Sequence, residues 1–202
     1  MILNLIEELN IKGHLTISKI LPHGEELIFD DANVIVSGMG VALAHLFALS
    51  GSNSILDYQI DRFQVGVSGT SNLQVSSTNK LAGSLTSLSE YAGNSGGIFV
   101  VSGHKIIDNS IVTQTEFYSI IPQNNITRID GNTVRYTLFM DSDSCNNLTR
   151  NSSPAQLNEI GLFIKNIKAG NPAAPILVAY KYFNPIRKSS DFALVFRWSI
   201  NF

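Results

Sequence analysis

The chain has 202 residues, a formal net charge of −2 and a charged fraction of 15%, against about 25% for an average globular domain. That balance excludes a phosphate-binding basic surface, and no run approaches the ~18 apolar residues of a membrane-spanning helix. The lone cysteine, Cys145, rules out an intramolecular disulfide. An apolar fraction of 44% supplies one sizeable core, so residues 1–202 are expected to form a single domain. Ser and Asn together make 42 of the 202 residues. A surface of uncharged polar groups costs less to desolvate than one of Lys and Glu, which suits burial against neighbouring molecules. Ser- and Asn-rich turns of a β-domain account for the same composition.

In chain order, Ile2, Leu5, Ile6 and Leu9 fall at helical spacing, so residues 1–10 are expected to form a short docking helix. Glu7 and Glu8 and the lack of a basic flank distinguish it from a secretory signal. Residues 13–21 and 26–29 read as a hairpin turning at Pro22-His23-Gly24. Asp30 and Asp31 are placed to cap a helix over residues 32–49, whose run from Val41 to Leu49 is apolar nearly all round and therefore expected to be buried. Strands are predicted over 60–67, 98–101, 115–121, 133–140, 159–164, 176–183 and 192–202. In the last, Phe192, Leu194, Phe196, Trp198, Ile200 and Phe202 alternate with smaller or polar residues, giving one wholly apolar face. Residues 68–94 and 141–154 are polar loops whose scattered leucines, Leu73, Leu81, Leu85, Leu88 and Leu148, offer anchor points to a partner. Many strands bounded by Gly, Asn and Pro turns, with one helix near the front, predict a mainly β protein: an antiparallel, jelly-roll-like β-sandwich.

Three patterns invite a chemical reading. Val34-Ile35-Val36-Ser37-Gly38-Met39-Gly40 imitates a strand entering a dinucleotide turn, but Leu43 stands at the third glycine position and no strand–helix alternation follows. Gly38 and Gly40 instead suit a helix that begins close to a sheet. Asp141-Ser142-Asp143 matches the start of a calcium loop, yet Asn146 replaces its glycine and Ser152 its closing glutamate. His14, His23, His45 and His104 lack metal-ligand spacing. The pairs Glu25/Glu26 and Asp30/Asp31 point to opposite faces of an extended strand, a poor arrangement for paired acid–base work. No catalytic residue, cofactor or metal is assigned. Glu159 is read as solvated, with a cross-sheet pair to Arg187 or Lys188 as the alternative, and Asn184-Pro185 as a turn ending its strand.

An ordered set of motifs spans nearly the whole chain. Lys12-Gly13-His14-Leu15-Thr16-Ile17 is followed by Gly24-Glu25-Glu26-Leu27, Asn33-Val34-Ile35-Val36 and Leu43-Ala44-His45-Leu46-Phe47. Then come Val65-Gly66-Val67-Ser68-Gly69-Thr70 and Ser77-Thr78-Asn79-Lys80-Leu81. Leu157-Asn158-Glu159-Ile160-Gly161-Leu162-Phe163, Phe183-Asn184-Pro185-Ile186-Arg187-Lys188 and the terminal Phe196-Arg197-Trp198-Ser199-Ile200-Asn201-Phe202 close the set and are its most specific part. Together they resemble bacteriophage virion structural proteins of the tail, neck and baseplate type. The stretch from Gly66 to Gly69 departs from that pattern in length.

The resemblance implies a non-enzymatic tail, neck or baseplate adaptor or fibre-attachment protein, found in the virion and in the host cytoplasm during assembly. Its partners would be copies of itself and other virion proteins, with neither nucleic acid nor membrane, and its mechanism multivalent docking. The interaction residues expected are Ile2, Leu5, Ile6, Leu9 and the five loop leucines. A capsid decoration protein is the alternative within that class. A carbohydrate-binding receptor module of a tail fibre, presenting Tyr58, Tyr91 and Tyr118 to a host glycan, is the rival from another class.

Overall fold

The computed structural model describes residues 10–48, 59–67, 98–99, 106–107, 119–143, 145–147, 149–150, 153–154, 156–164 and 176–202. The docking helix expected over residues 1–10 lies outside them but for Asn10. So do all of residues 68–94.

The chain opens on a long hairpin, β1 (Lys12–Leu21) and β2 (Gly24–Ile35), which turns at Pro22-His23 as the sequence predicts. The one α-helix among the described residues follows, α1 (Ser37–Phe47), then β3 (Ile60–Gly66). Three two-residue strands come next: β4 (Ile98–Phe99), β5 (Ile106–Ile107) and β6 (Ser119–Ile120). They precede β7 (Ile126–Arg128) and β8 (Thr133–Met140). A two-residue ladder, β9 (Thr149–Arg150) with β10 (Ser153–Pro154), stands apart. The chain ends with β11 (Leu157–Ile164), β12 (Ile176–Ile186) and β13 (Ala193–Asn201).

Apart from that ladder, the strands form one antiparallel sheet in the order β5-β4-β3-β11-β12-β2-β1-β13-β8-β7, with β6 also beside β3. The sheet curls into a half-barrel. It is mainly β with one helix, as expected, but the described strands follow a single path where two stacked sheets were predicted. The two halves of the path meet at a narrow junction, where only Val34 and Ile35 of β2 pair with Tyr180 and Ala179 of β12.

The register explains the core. On the concave face, Leu194, Phe196, Trp198 and Ile200 of β13 stand beside Leu15 and Ile17 of β1 and Tyr136, Leu138 and Met140 of β8, all buried. Each large apolar side chain removed from water contributes roughly 1.5–3 kcal/mol. The opposite half closes the core with Phe63, Val65, Ile160, Leu162 and Phe183. Every residue of β11 is buried. A second cluster of Val36, Phe163, Leu177 and Tyr180 packs on the far face of that half. A strand covered on both faces has no use for alternation, so β11 reads as a continuous run.

Several boundaries differ from the expectation, each for a definable reason. Asp30 and Asp31 do not cap a helix, because β2 continues through them to Ile35 and their carboxylates are used in the sheet. His14 Nε2 lies 2.5 Å from Asp30, and Lys181 Nζ donates to Asp31 at 2.7 Å. The helix starts five residues after Ala32, at Ser37, with Val36 extended at φ −97° and no side-chain cap. Gly38 is required there, since a Cβ would run into the Leu177 carbonyl. Nor does β12 end at Asn184-Pro185. Leu157 pairs with Ile186 and Glu159 with Tyr182, so a bulge absorbs the proline inside the strand.

Candidate functional site

Among the described residues, one concave site is walled by the helix and the sheet. Its cavity of about 370 Å³ lies between α1 and the β7–β8 hairpin. Met39, Ala42, Leu43 and Leu46 form the helical wall, Ile126, Val134 and Tyr136 the sheet wall, and Phe202 closes one side. Gln59, Gln123 and Arg128 are its polar members. Arg128 is already engaged, donating to the carbonyls of Asp130 and Gly131 at 2.9 and 2.7 Å and so bracing the hairpin turn. Burial pushes the Tyr136 phenol well above its ordinary range, which keeps it protonated. These walls suit an apolar surface and a few hydrogen bonds rather than proton transfer.

Apolar side chains of these elements are also exposed. Phe47 is 81% exposed, Val41 44%, Leu46 38%, Ile129 45% and Phe202 41%. This corrects the expectation that the run from Val41 to Leu49 is buried. A helix lying on a sheet buries one stripe, so an 11-residue helix that is apolar all round must leave the rest outside. Phe202 is likewise not core. It sits one residue past the end of β13, where alternation continues but the sheet does not.

Ile2, Leu5, Ile6, Leu9, Leu73, Leu81, Leu85, Leu88 and Leu148 lie outside the described residues, as do Tyr58, Tyr91, Tyr118 and the side chain of His45. The signal that would have found Val41, Leu46 and Phe47 is the mismatch between an all-round apolar helix and the single face a sheet can cover.

The Asp141 loop shows why an acidic run need not hold calcium. Lys188 is 1% exposed, and its ammonium donates to Ser142 O at 3.2 Å, Asn146 Oδ1 at 2.9 Å and Ser189 O at 2.7 Å. Its own carbonyl accepts from Asn147 N at 2.9 Å. The lysine thus supplies the cation that the loop oxygens would otherwise seek. Cys145 and Asn147 adopt left-handed φ values of 58° and 50° around it. Burial lowers the pKa of Lys188 and pushes the Cys145 thiol up to about 11, so that thiol is a weak nucleophile. Among the described residues there is no group of three or more His, Cys, Asp or Glu that could hold a metal ion.

Glu159 is buried, not solvated, and accepts from Tyr180 Oη at 3.1 Å. Gly66 makes room for it, since a Cβ there would meet the carboxylate. Neither Arg187, which is exposed, nor Lys188, which closes the Asp141 loop, takes the role of its partner suggested by the sequence.

No family model, curated protein or solved structure matches this chain. Its described residues define a mainly β fold, a curled antiparallel half-barrel sheet with one helix. Among the described residues no helix is long and apolar enough to cross a membrane.

Proposed function

We propose that this chain is a non-enzymatic structural component of a phage virion, serving as a tail, neck or baseplate adaptor or fibre-attachment protein. The observation that carries the reading is the ordered motif set from Lys12 to Phe202, whose densest part, Leu157 to Phe202, forms β11, β12 and β13. Two further features support it. The surface is poor in charge, so its burial between subunits costs little. Among the described residues the sheet path ends on short strands, β7 on one side and β5 on the other, a form that suits completion by a neighbouring strand. In this reading the halves on either side of the β2–β12 junction serve as the layers of a jelly-roll-like sandwich. The chain acts by repeated modest contacts within an assembly, with copies of itself and other virion proteins as partners.

A nonsense allele of the gene, complemented in trans, tests the proposal. Particles made without the chain should be structurally incomplete and regain wild-type form on complementation. Complete particles in its absence would overturn the structural role. Complete particles that no longer adsorb to host glycans would favour the receptor module instead.

A further inference from the structure

We infer that the cavity between α1 and the β7–β8 hairpin binds a compact, uncharged and largely apolar molecule that carries a hydrogen-bond acceptor, held by the hydroxyl of Tyr136. The cavity reaches into the core rather than dimpling the surface. Of its lining, Met39, Ala42, Ile60 and Ile164 are all buried. Its volume of about 370 Å³ is that of a small-molecule site. Such sites hold roughly 300–1,000 Å³ and are mostly apolar, with a few placed polar groups. Met39 adds a thioether, which adapts to irregular shapes.

Tyr136 is the placed group. It is 5% exposed and lines the cavity, and among the described residues its hydroxyl makes no hydrogen bond. A buried phenol ordinarily has a partner. The side chains opposite it in the sheet do not serve. Ile126 of β7 is apolar, and Trp198 of β13 gives its indole N–H to Asn33. Burial keeps the phenol protonated, so the hydroxyl is a donor and its complement is a ketone, ester or ether oxygen.

The rest of the lining selects against charge. Arg128 already donates to the carbonyls of Asp130 and Gly131, and no carboxylate lines the cavity. An anion would meet no unengaged cation there, and an ammonium no counter-charge. The amides of Gln59 and Gln123 meet each other at 3.5 Å, which leaves the Tyr136 hydroxyl to discriminate between ligands. This site stands whether or not the chain serves a virion.

Propiophenone and propylbenzene share a shape and differ in the carbonyl, and amide NMR titration of the full chain with each tests the site. Both should shift resonances of residues 39–46 and 126–136, with the ketone bound about fivefold more tightly, the worth of one hydrogen bond. Tyr136→Phe removes only the hydroxyl and should abolish that preference while the hydrocarbon binds as before. Leu46→Trp, at a position of the helical wall that is 38% exposed, should fill the cavity and abolish the shifts from both ligands. Equal affinities in the wild-type chain, or a ketone preference that survives Tyr136→Phe, would overturn the role of the hydroxyl. No shift from either ligand, or shifts that persist in Leu46→Trp, would overturn the site and leave the cavity to water or to another part of the chain.

Discussion

Trp198 is fully buried at the centre of the concave face, and its indole N–H donates to Asn33 Oδ1 at 2.7 Å. Asn33 can reach it because Gly13 opposite has no side chain, and a Cβ there would strike the Asn33 amide. Three residues from three strands thus form one contact. Trp198→Ala should cost about 3–5 kcal/mol, the usual loss for a buried aromatic. Asn33→Leu should cost ~1–3 kcal/mol, because the indole N–H is left buried without an acceptor. Urea unfolding of both variants measures these losses, and an unchanged midpoint for Trp198→Ala would remove the tryptophan from the core. Asp31 is one of the carboxylates that contribute to the acid limb, with Glu25 and Asp130. The hydrogen bond from Lys181, whose side chain is almost wholly buried, is the main cause that holds the Asp31 carboxyl below its ordinary range. A folded pKa below the unfolded value of about 3.9 gives stability that is complete above that pH and is lost as pH falls through the folded value. Asp31→Asn should therefore flatten the fall in stability below about pH 4, seen in melting curves at stepped pH. Because Asp31 is half exposed, solvent screening keeps the effect modest.

At the scale of elements, the clasp made by Lys188 ties the loop after β8 to the segment after β12. Lys188→Met keeps an unbranched side chain but removes the ammonium, leaving the Ser142 and Ser189 carbonyls and Asn146 Oδ1 without their donor. The expected outcome is faster amide exchange at Asn147 and its neighbours, with protection of β1 and β13 retained. Uniform exchange across the molecule would mean that the clasp supports the whole fold. The same elements show what a sequence conveys. β8 and β13 were legible because each has one face on the core, so alternation survives in Val134, Tyr136, Leu138 and Met140 and in Leu194 through Ile200. β11 was harder to delimit, since both its faces are buried and Asn158 and Glu159 lie inside. The start of α1 was misplaced because Asp30 and Asp31 look like caps until the distant residues His14 and Lys181 claim them. Such claims depend on contacts 16 and 150 residues away, which no local pattern carries. The cavity beside α1 is not legible in the sequence for a related reason. Its walls come from α1, β7, β8 and Phe202, elements far apart in sequence that only the curl of the sheet brings together.

For the molecule as a whole, a curled half-barrel and a chain poor in charge both suit the burial among neighbours that the proposed role requires. A protein held in place by many modest contacts needs rigid strands and surfaces that are cheap to desolvate. The most direct measurement is an electron cryomicroscopy map of the intact particle at a resolution that shows strands. Under the proposed role the half-barrel is expected in several symmetry-related copies within the tail, neck or baseplate, with the low-charge surface against adjacent subunits. A fully interpreted map with no density for this fold, from particles whose mass spectrum also lacks the chain, would contradict it.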